Sequence, residues 1–367
     1  MRILGLNSGT SADGLNAVLT EFKRGSLPAV LKSAVFPFDN KLSKKIIRCC
    51  EPDYNDGEAW LALDIELGKI MADRARKFLR DAFKQGFKVD LIASHGQTVR
   101  HLPAKMISLQ LGDPATIASK TGLPVIADFG RSDIAAGGEG APLSPLLHEY
   151  LFGHKKRWRA VVNIGGIANI TILPSLKSRK RPFAADCGPG NMVIDIVMRR
   201  LYGKAFDKDG KIALSGKPEK KVVSRFLRGR FFRLPPPKST GRELFGDKFV
   251  DRMLHDLIGS IKQDKIATSA EITAQSIARF IKKYASSVEE IFLCGGGSKN
   301  GYLVNRLARE FPSIKIGVTS ELGYDPENIE AILWAYLAFQ NINRVPVDTS
   351  RFTGAEKQYI PGALWLH

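Results

Sequence analysis

Ala184-Ala185-Asp186-Cys187-Gly188-Pro189-Gly190-Asn191 is the stretch on which the reading of this chain turns. A short apolar run at 182–185 leads into one carboxylate, and two glycines and a proline follow. Met192-Val193-Ile194-Asp195-Ile196-Val197-Met198 then reads as a helix. That order predicts a strand with Asp186 at its carboxyl end and a helix amino terminus close behind. Ligands of open α/β sheets bind at that edge, and the free N–H groups of a starting helix attract anions. A carboxylate there suits a base working beside a phosphate. The same residues also fit an N-cap and an ordinary glycine turn. The octapeptide alone leaves both readings open.

Outward from this stretch, one order of elements occurs twice. Residues 160–164 read as a strand, Gly165-Gly166 as a turn, 167–173 as the returning strand and 183–186 as a third. Helices follow, one of them over 269–284, and then a strand at 290–293 runs into Cys294-Gly295-Gly296-Gly297-Ser298-Lys299-Asn300. In the first half a strand at 3–6 enters Asn7-Ser8-Gly9-Thr10-Ser11-Ala12-Asp13-Gly14, returns at 15–22 and is followed by a third strand at 29–36. A short helix at 41–49 and a long one at 58–85 come next, the latter with apolar residues at helical spacing and Gly86 as its stop. A strand at 89–94 then leads into His95-Gly96-Gln97-Thr98. The repetition predicts two duplicated α/β domains. We expect a first domain over 1–152, joined by the tail 345–367, and a second over 158–344, with 153–157 as the linker. Between them lie a strand at 124–128, a Gly/Ala loop at 135–142 and a helix at 143–152. A helix at 326–341 closes the second domain.

Composition narrows the class. The 367 residues leave room for two well-buried cores, and 44% apolar with 25% charged residues is ordinary for a globular protein. No apolar run approaches the length of a membrane span, and Met1-Arg2-Ile3-Leu4-Gly5 enters a strand pattern directly. Cys49, Cys50, Cys187 and Cys294 have no metal-ligand spacing and read as free thiols, so the expected location is cytoplasmic. The net charge is +18 and the pI about 9.7. Part of that charge sits in Lys177-Ser178-Arg179-Lys180-Arg181 and in the stretches 217–221 and 228–233. There is no RNP-like aromatic pattern, zinc-finger spacing or basic heptad helix. We therefore expect no nucleic-acid and no membrane partner, and a solvated basic surface that attracts acidic ligands.

Two glycine-rich hairpins can hold a polyphosphate through backbone N–H groups, because glycine lets a ligand approach the main chain. The first adds hydroxyls and the Asp13 carboxylate, suited to a γ-phosphate and to Mg²⁺ through water. Neither matches a P-loop or a dinucleotide fingerprint, and glycine hairpins are also plain turns. The triple glycine 295–297 can accommodate a flat nucleoside or serve as a loop. Asp13, Asp128, Asp133, Asp186 and Glu330 are the carboxylates at expected strand and helix ends. Asp186 stands out by its setting.

Taken together, these segments resemble the anhydro-N-acetylmuramic acid kinases. The resemblance runs through Gly5 to Gly14, Ser94-His95-Gly96-Gln97-Thr98, Leu109-Gln110-Leu111-Gly112-Asp113, Ala127-Asp128-Phe129 and Ala135-Ala136-Gly137-Gly138 with Gly140-Ala141-Pro142-Leu143. It continues in Asn163-Ile164-Gly165-Gly166-Ile167-Ala168-Asn169, the Asp186 segment, Thr240-Gly241-Arg242-Glu243-Leu244-Phe245, the 294–300 loop and Glu330-Ala331. It implies the α/β fold of the acetate and sugar kinase/Hsc70/actin (ribonuclease H-like) type, with two duplicated domains around a nucleotide cleft. It also implies an ATP-dependent reaction. O6 of 1,6-anhydro-N-acetylmuramic acid is phosphorylated while water opens the anhydro bridge, giving N-acetylmuramic acid 6-phosphate in cell-wall recycling. Asp186 is then the base for that water. Gly9, Thr10, Ser11, Asp13, Gly14, Gly165, Gly166, Gly295, Gly296 and Gly297 hold the nucleotide, with Mg²⁺ carried by ATP and water near Asp13. Arg131, Asp133 and Glu330 contact the sugar, with His95 and Gln97 near it, and the protein is a homodimer. The chain departs from the usual pattern at Asn7 (methionine), Ala12 (leucine), Asn16 (aspartate), Gly130 (arginine), Glu139 (glutamine) and Gly246 (asparagine). Alternative readings are a kinase for another anhydro sugar such as levoglucosan, or a catalytically silent nucleotide-binding relative.

Overall fold

The centre of each half is built from strands so apolar that both faces must be covered. β1 (Arg2–Ser8) is buried at all but its first residue, and every residue of β10 (Glu290–Cys294) is buried. The computed structural model describes residues 1–9, 11–51 and 53–367. It divides into two units, Met1–Leu147 with Asn328–His367, and His148–Glu327.

The first unit holds β1, β2 (Gly14–Glu21), β3 (Ala29–Pro37), β4 (Leu91–Leu102), β5 (Ile107–Leu111), β6 (Val125–Ala127) and a short strand Ala363–Trp365. Its sheet runs Ala363–Trp365, β6, β4, β1, β2, β3, with β5 also paired to β4. β1 is antiparallel to β2 and parallel to β4, β2 is antiparallel to β3, and β4 is parallel to β6. The long helix Gly57–Lys84, capped by Asp56 accepting from Ala59 N–H at 2.9 Å, buries Leu63, Leu67, Met71, Phe78 and Ala82. Met71 and Phe78 join Leu4, Leu6, Leu15, Leu19 and Ile92 of the sheet in one cluster.

The second unit holds β7 (Arg159–Ile164), β8 (Ala168–Leu173), β9 (Phe183–Gly188), β10 and β11 (Lys315–Val318), in the order β11, β10, β7, β8, β9. β7 is antiparallel to β8 and parallel to β10, β8 is antiparallel to β9, and β10 is parallel to β11. This is the first unit's order and direction again. The helix Lys262–Tyr284 packs Ile266, Ala270, Ile277 and Ile281 into a core with Ile170, Ile172 and Leu293. Among the described residues, no helix is long and apolar enough to cross a membrane.

The expected boundaries shift in three places. Residues 328–344 belong to the first unit, because the helix Ile329–Ile342 packs on β1. A Cβ on Gly5 would lie 2.0 Å from the Ala331 carbonyl oxygen, so only glycine permits that approach. The division at Leu147/His148 falls within the helix Ser144–Phe152 instead of at 153–157. Its second half is tied to the second sheet, through His148 Nδ1 to Thr171 Oγ1 (2.8 Å) and Arg159 Nη1 donating to Phe152 O (3.0 Å). Finally, β9 continues to Gly188, so Asp186 lies inside the strand and not at its end.

Candidate active site

In the second unit β7, β9 and β10 run in one direction, so their carboxyl ends share a sheet edge. Three glycine turns meet there. Gly165 and Gly166 carbonyls accept from the N–H groups of Asn191 (2.8 Å) and Met192 (3.0 Å), and Asn191 Nδ2 donates to Ile164 O (3.1 Å). The start of the helix Met192–Tyr202 is thus joined to the β7–β8 turn, and those two N–H groups are not open to an anion. Gly190, at φ +53°, leaves no room for a side chain: a Cβ would sit 2.4 Å from Gly165 O. Gly295 and Gly297 are equally constrained, with a Cβ 2.3 Å from Asn163 Oδ1 or from Ile164 Cγ2.

Asp186 is buried on β9 with its N–H donating to Lys238 O (2.9 Å) and its Oδ2 accepting from Thr240 N–H (2.8 Å). It does not cap the helix, whose N-cap is Asn191. One oxygen is therefore fixed by the main chain of the 238–240 loop, a partner the sequence reading missed. Lys238 Nζ donates to Phe231 O (2.9 Å) and lies 4.3 Å from the Phe231 ring centre; burial pulls its ammonium below the usual lysine range. The neighbouring Cys187 thiol is pushed up by burial and donates to Ala168 O, so it stays protonated and inert.

The first unit's equivalent turn is held by side chains. Ser8 Oγ donates to Gln97 Oε1 (2.6 Å), or to Gly14 O (3.1 Å), and Gln97 Nε2 donates to Gly9 O (3.2 Å). A register shift between Leu6 and Ser8 places an extra residue in β4 around Gly96, at φ +73°. Gln97 is fully buried and serves as the turn's clamp. Ser11 and Asp13 are exposed, with Ser11 Oγ donating to Asp13 Oδ1 (2.8 Å). Thr10 lies outside the described residues.

His95 is half-buried and stacks on Trp334, with ring centres 3.9 Å apart and planes at 7°. Burial pushes its imidazole down to about 4, so it is neutral at pH 7. Trp334 stands one helical turn after Glu330, and Asn7 joins the two: Trp334 Nε1 donates to Asn7 Oδ1 (2.8 Å) and Asn7 Nδ2 to Glu330 Oε2 (2.8 Å). Arg131 is exposed, 3.4 Å from Asp128 Oδ1. Asp133 departs from expectation. It is fully buried, with Oδ1 accepting from Thr349, Thr353 and Tyr359 hydroxyls (2.5, 2.9 and 2.8 Å) and Oδ2 from Gly140 N–H (2.7 Å). A carboxylate so enclosed anchors the C-terminal tail and is not presented to a sugar.

The glycines separate into two groups. Gly14, Gly190, Gly295 and Gly297 are demanded by the fold, since a Cβ on each would lie within 3.0 Å of another atom. Gly9, Gly165 and Gly296 have no such reason: a Cβ would come no closer than 3.7 Å and 3.6 Å to anything at the first two, and meets nothing within 4 Å at Gly296. Glycine at these three leaves the main chain open to a ligand, as a phosphate cradle requires. Among the described residues no group of three or more His, Cys, Asp or Glu side chains can hold a metal.

A family model described as anhydro-N-acetylmuramic acid kinase matches residues 1–367. The chain belongs to this family. It is 40% identical over 362 residues to the anhydro-N-acetylmuramic acid kinase of Shewanella amazonensis, covering 98% of this chain and 97% of that protein. It is 41% identical over 363 residues to that of Shewanella sp. (strain ANA-3), with the same coverage. Among solved structures it is similar to the activator of the 2-hydroxyisocaproyl-CoA dehydratase from Clostridium difficile with bound ADPNP (TM-score 0.46, 15% identity, 94% of this chain and 96% of that one). It is also similar to a ROK family glucokinase from Streptomyces griseus in complex with glucose and AMPPNP (TM-score 0.41, 14% identity, 93% and 100%). Family membership accords with the α/β topology written twice in this chain.

Proposed function

We propose that this protein transfers the γ-phosphoryl group of ATP to O6 of 1,6-anhydro-N-acetylmuramic acid while water opens the anhydro bridge. Asp186 takes a proton from the water, whose oxygen bonds to C1. The C1–O6 bond breaks, and O6 accepts the phosphoryl group, giving N-acetylmuramic acid 6-phosphate and ADP. The Asp186 carboxylate accepts from Thr240 N–H, a bond that holds the base in place. Main-chain N–H groups at Gly9, Gly165, Gly166 and the 295–297 loop hold phosphates and nucleoside, with Gly14 shaping the first turn and Ser11 and Asp13 beside it. Mg²⁺ bound with ATP supplies charge neutralisation at the β- and γ-phosphate oxygens. Glu330 and neutral His95 take sugar hydroxyls, and the exposed Arg131 guanidinium pairs with the lactyl carboxylate. A homodimer and a cytoplasmic location belong to the same reading and rest on family membership.

The observation that supports this most is chemical economy at one sheet edge. A buried carboxylate on β9 shares the carboxyl-end edge of one sheet with Gly165 and Gly296, glycines that the fold itself does not require. The test is a coupled ADP-release assay with Mg-ATP and 1,6-anhydro-N-acetylmuramic acid, followed by mass analysis. A product heavier by phosphate plus water is expected. Phosphate alone would remove Asp186 as the water-activating base, and no ADP release would move the substrate to another anhydro sugar.

A further inference from the structure

We propose that Asn7 is a positioning residue that fixes Glu330 for the sugar, through an amide whose orientation is set by Trp334. This rests on the reading above that Glu330 meets the substrate. Asn7 is buried, at 6% exposure, one residue before the end of β1. An indole N–H can only donate, so the 2.8 Å contact from Trp334 Nε1 must be made to the amide oxygen. The amide nitrogen is then left facing Glu330, and it donates to Oε2 at 2.8 Å. Trp334 is itself held in place, stacked on His95 and, at 5.4 Å and 23°, on Phe129. Gly5 completes the arrangement by letting the helix Ile329–Ile342 come down onto β1. In this chain the Glu330 carboxylate is thus oriented before any sugar arrives, and a pre-oriented acceptor loses less freedom on binding.

The experiment compares the purified protein with Asn7→Asp, Glu330→Gln and the double variant, measuring KM for ATP and for 1,6-anhydro-N-acetylmuramic acid, and melting temperature. Asn7→Asp is close to isosteric and keeps an acceptor for Trp334, but it replaces the donor facing Glu330 with a second carboxylate. We expect the sugar KM to rise about tenfold, with ATP KM unchanged. In the Glu330→Gln background the same change should add less than twofold, because the pair can bond again. Should Asn7→Asp fold poorly, Trp334→Phe keeps the stack and removes only the indole donor; it should raise the sugar KM alone, about threefold. Glu330→Gln raising the sugar KM while Asn7→Asp leaves it unchanged would overturn the role of Asn7 and keep that of Glu330. Fully multiplicative effects, or ATP KM moving with sugar KM, would also overturn it. No sugar effect from Glu330→Gln would remove the Glu330 contact, and this inference with it.

Discussion

Across the first three strands of the second sheet, one rung reads Asn163, Asn169, Asp186; across the same three strands of the first sheet, the matching rung reads Asn7, Asn16, Val35. The topology is repeated, and the acid is present once. The turns beyond these rungs differ too. Ser8 and Gln97 side chains clamp the β1–β2 turn, whereas main-chain bonds from Asn191 and Met192 clamp the β7–β8 turn. A duplicated scaffold therefore supplies two similar sheet edges, and single side chains decide what each can do. The second edge carries a buried carboxylate on a backbone-built frame; the first carries exposed hydroxyl and carboxylate groups on a side-chain-built one.

The largest expected effect tests the single acid. Asp186→Asn keeps the shape and an acceptor for Thr240 N–H but cannot take a proton at neutral pH. Turnover should fall by about 10³-fold with nucleotide binding retained. Turnover near that of the parent would erase the distinction between the two rungs.

Next in size is the backbone clamp. Gly190→Ala puts a Cβ against Gly165 O at positive φ, and should lower stability by about 3 kcal/mol. Gly165→Ala and Gly296→Ala meet no such obstacle, so their melting temperatures should stay near the parent's while KM for ATP rises about tenfold. Equal melting losses in all three would mean that fold and ligand demands on glycine cannot be separated here.

The side-chain clamp should cost less. Gln97→Leu leaves the buried Ser8 hydroxyl without its 2.6 Å acceptor and frees Gly9 O, a loss of about 2 kcal/mol. The first turn should loosen with it, raising ATP KM while the second unit's protection against hydrogen exchange is unchanged. Protection lost equally in both units would contradict a clamp local to the first turn.

Much of this was legible in the chain because strands and turns are written locally. Apolar runs and paired glycines marked the strands of both hairpins to within a residue or two. The rest depended on partners far away in sequence. Asp133 looks like any helix-end carboxylate until Thr349, Thr353 and Tyr359 close over it from the tail. The helix Ile329–Ile342 carries no mark of which sheet it covers; the sign lies in Gly5, more than 300 positions earlier. The glycines after Asp186 read as the end of its strand, yet Gly188 still pairs with Ala168. Asn7 could be noticed as a departure, but its meaning needed Trp334 beside it. That tryptophan's i, i+4 spacing from Glu330 was the one available signal.

The smallest effect compares one histidine in each unit, half-buried His95 and buried His148. Burial pushes His95 down to about 4 and His148 to about 3, the latter with Nδ1 paired to Thr171 Oγ1. Both are neutral in the fold and titrate near 6.5 when unfolded. Below pH 6.5 the unfolded chain takes up protons that the folded one refuses, so stability is complete above that pH and is lost as pH falls from 6.5 toward 4. Each histidine should contribute about 1.4 kcal/mol per pH unit inside that window. Melting temperatures measured at pH 7.5 and 5.5 should therefore differ, the lower pH giving the lower value. His148→Asn, which keeps an amide at the Thr171 hydroxyl without a titrating ring, should reduce that difference by about half, leaving the share of His95. A difference unaltered by the substitution would assign the acid sensitivity to the first unit alone, where His95 lies against Trp334 and only partly shielded from water.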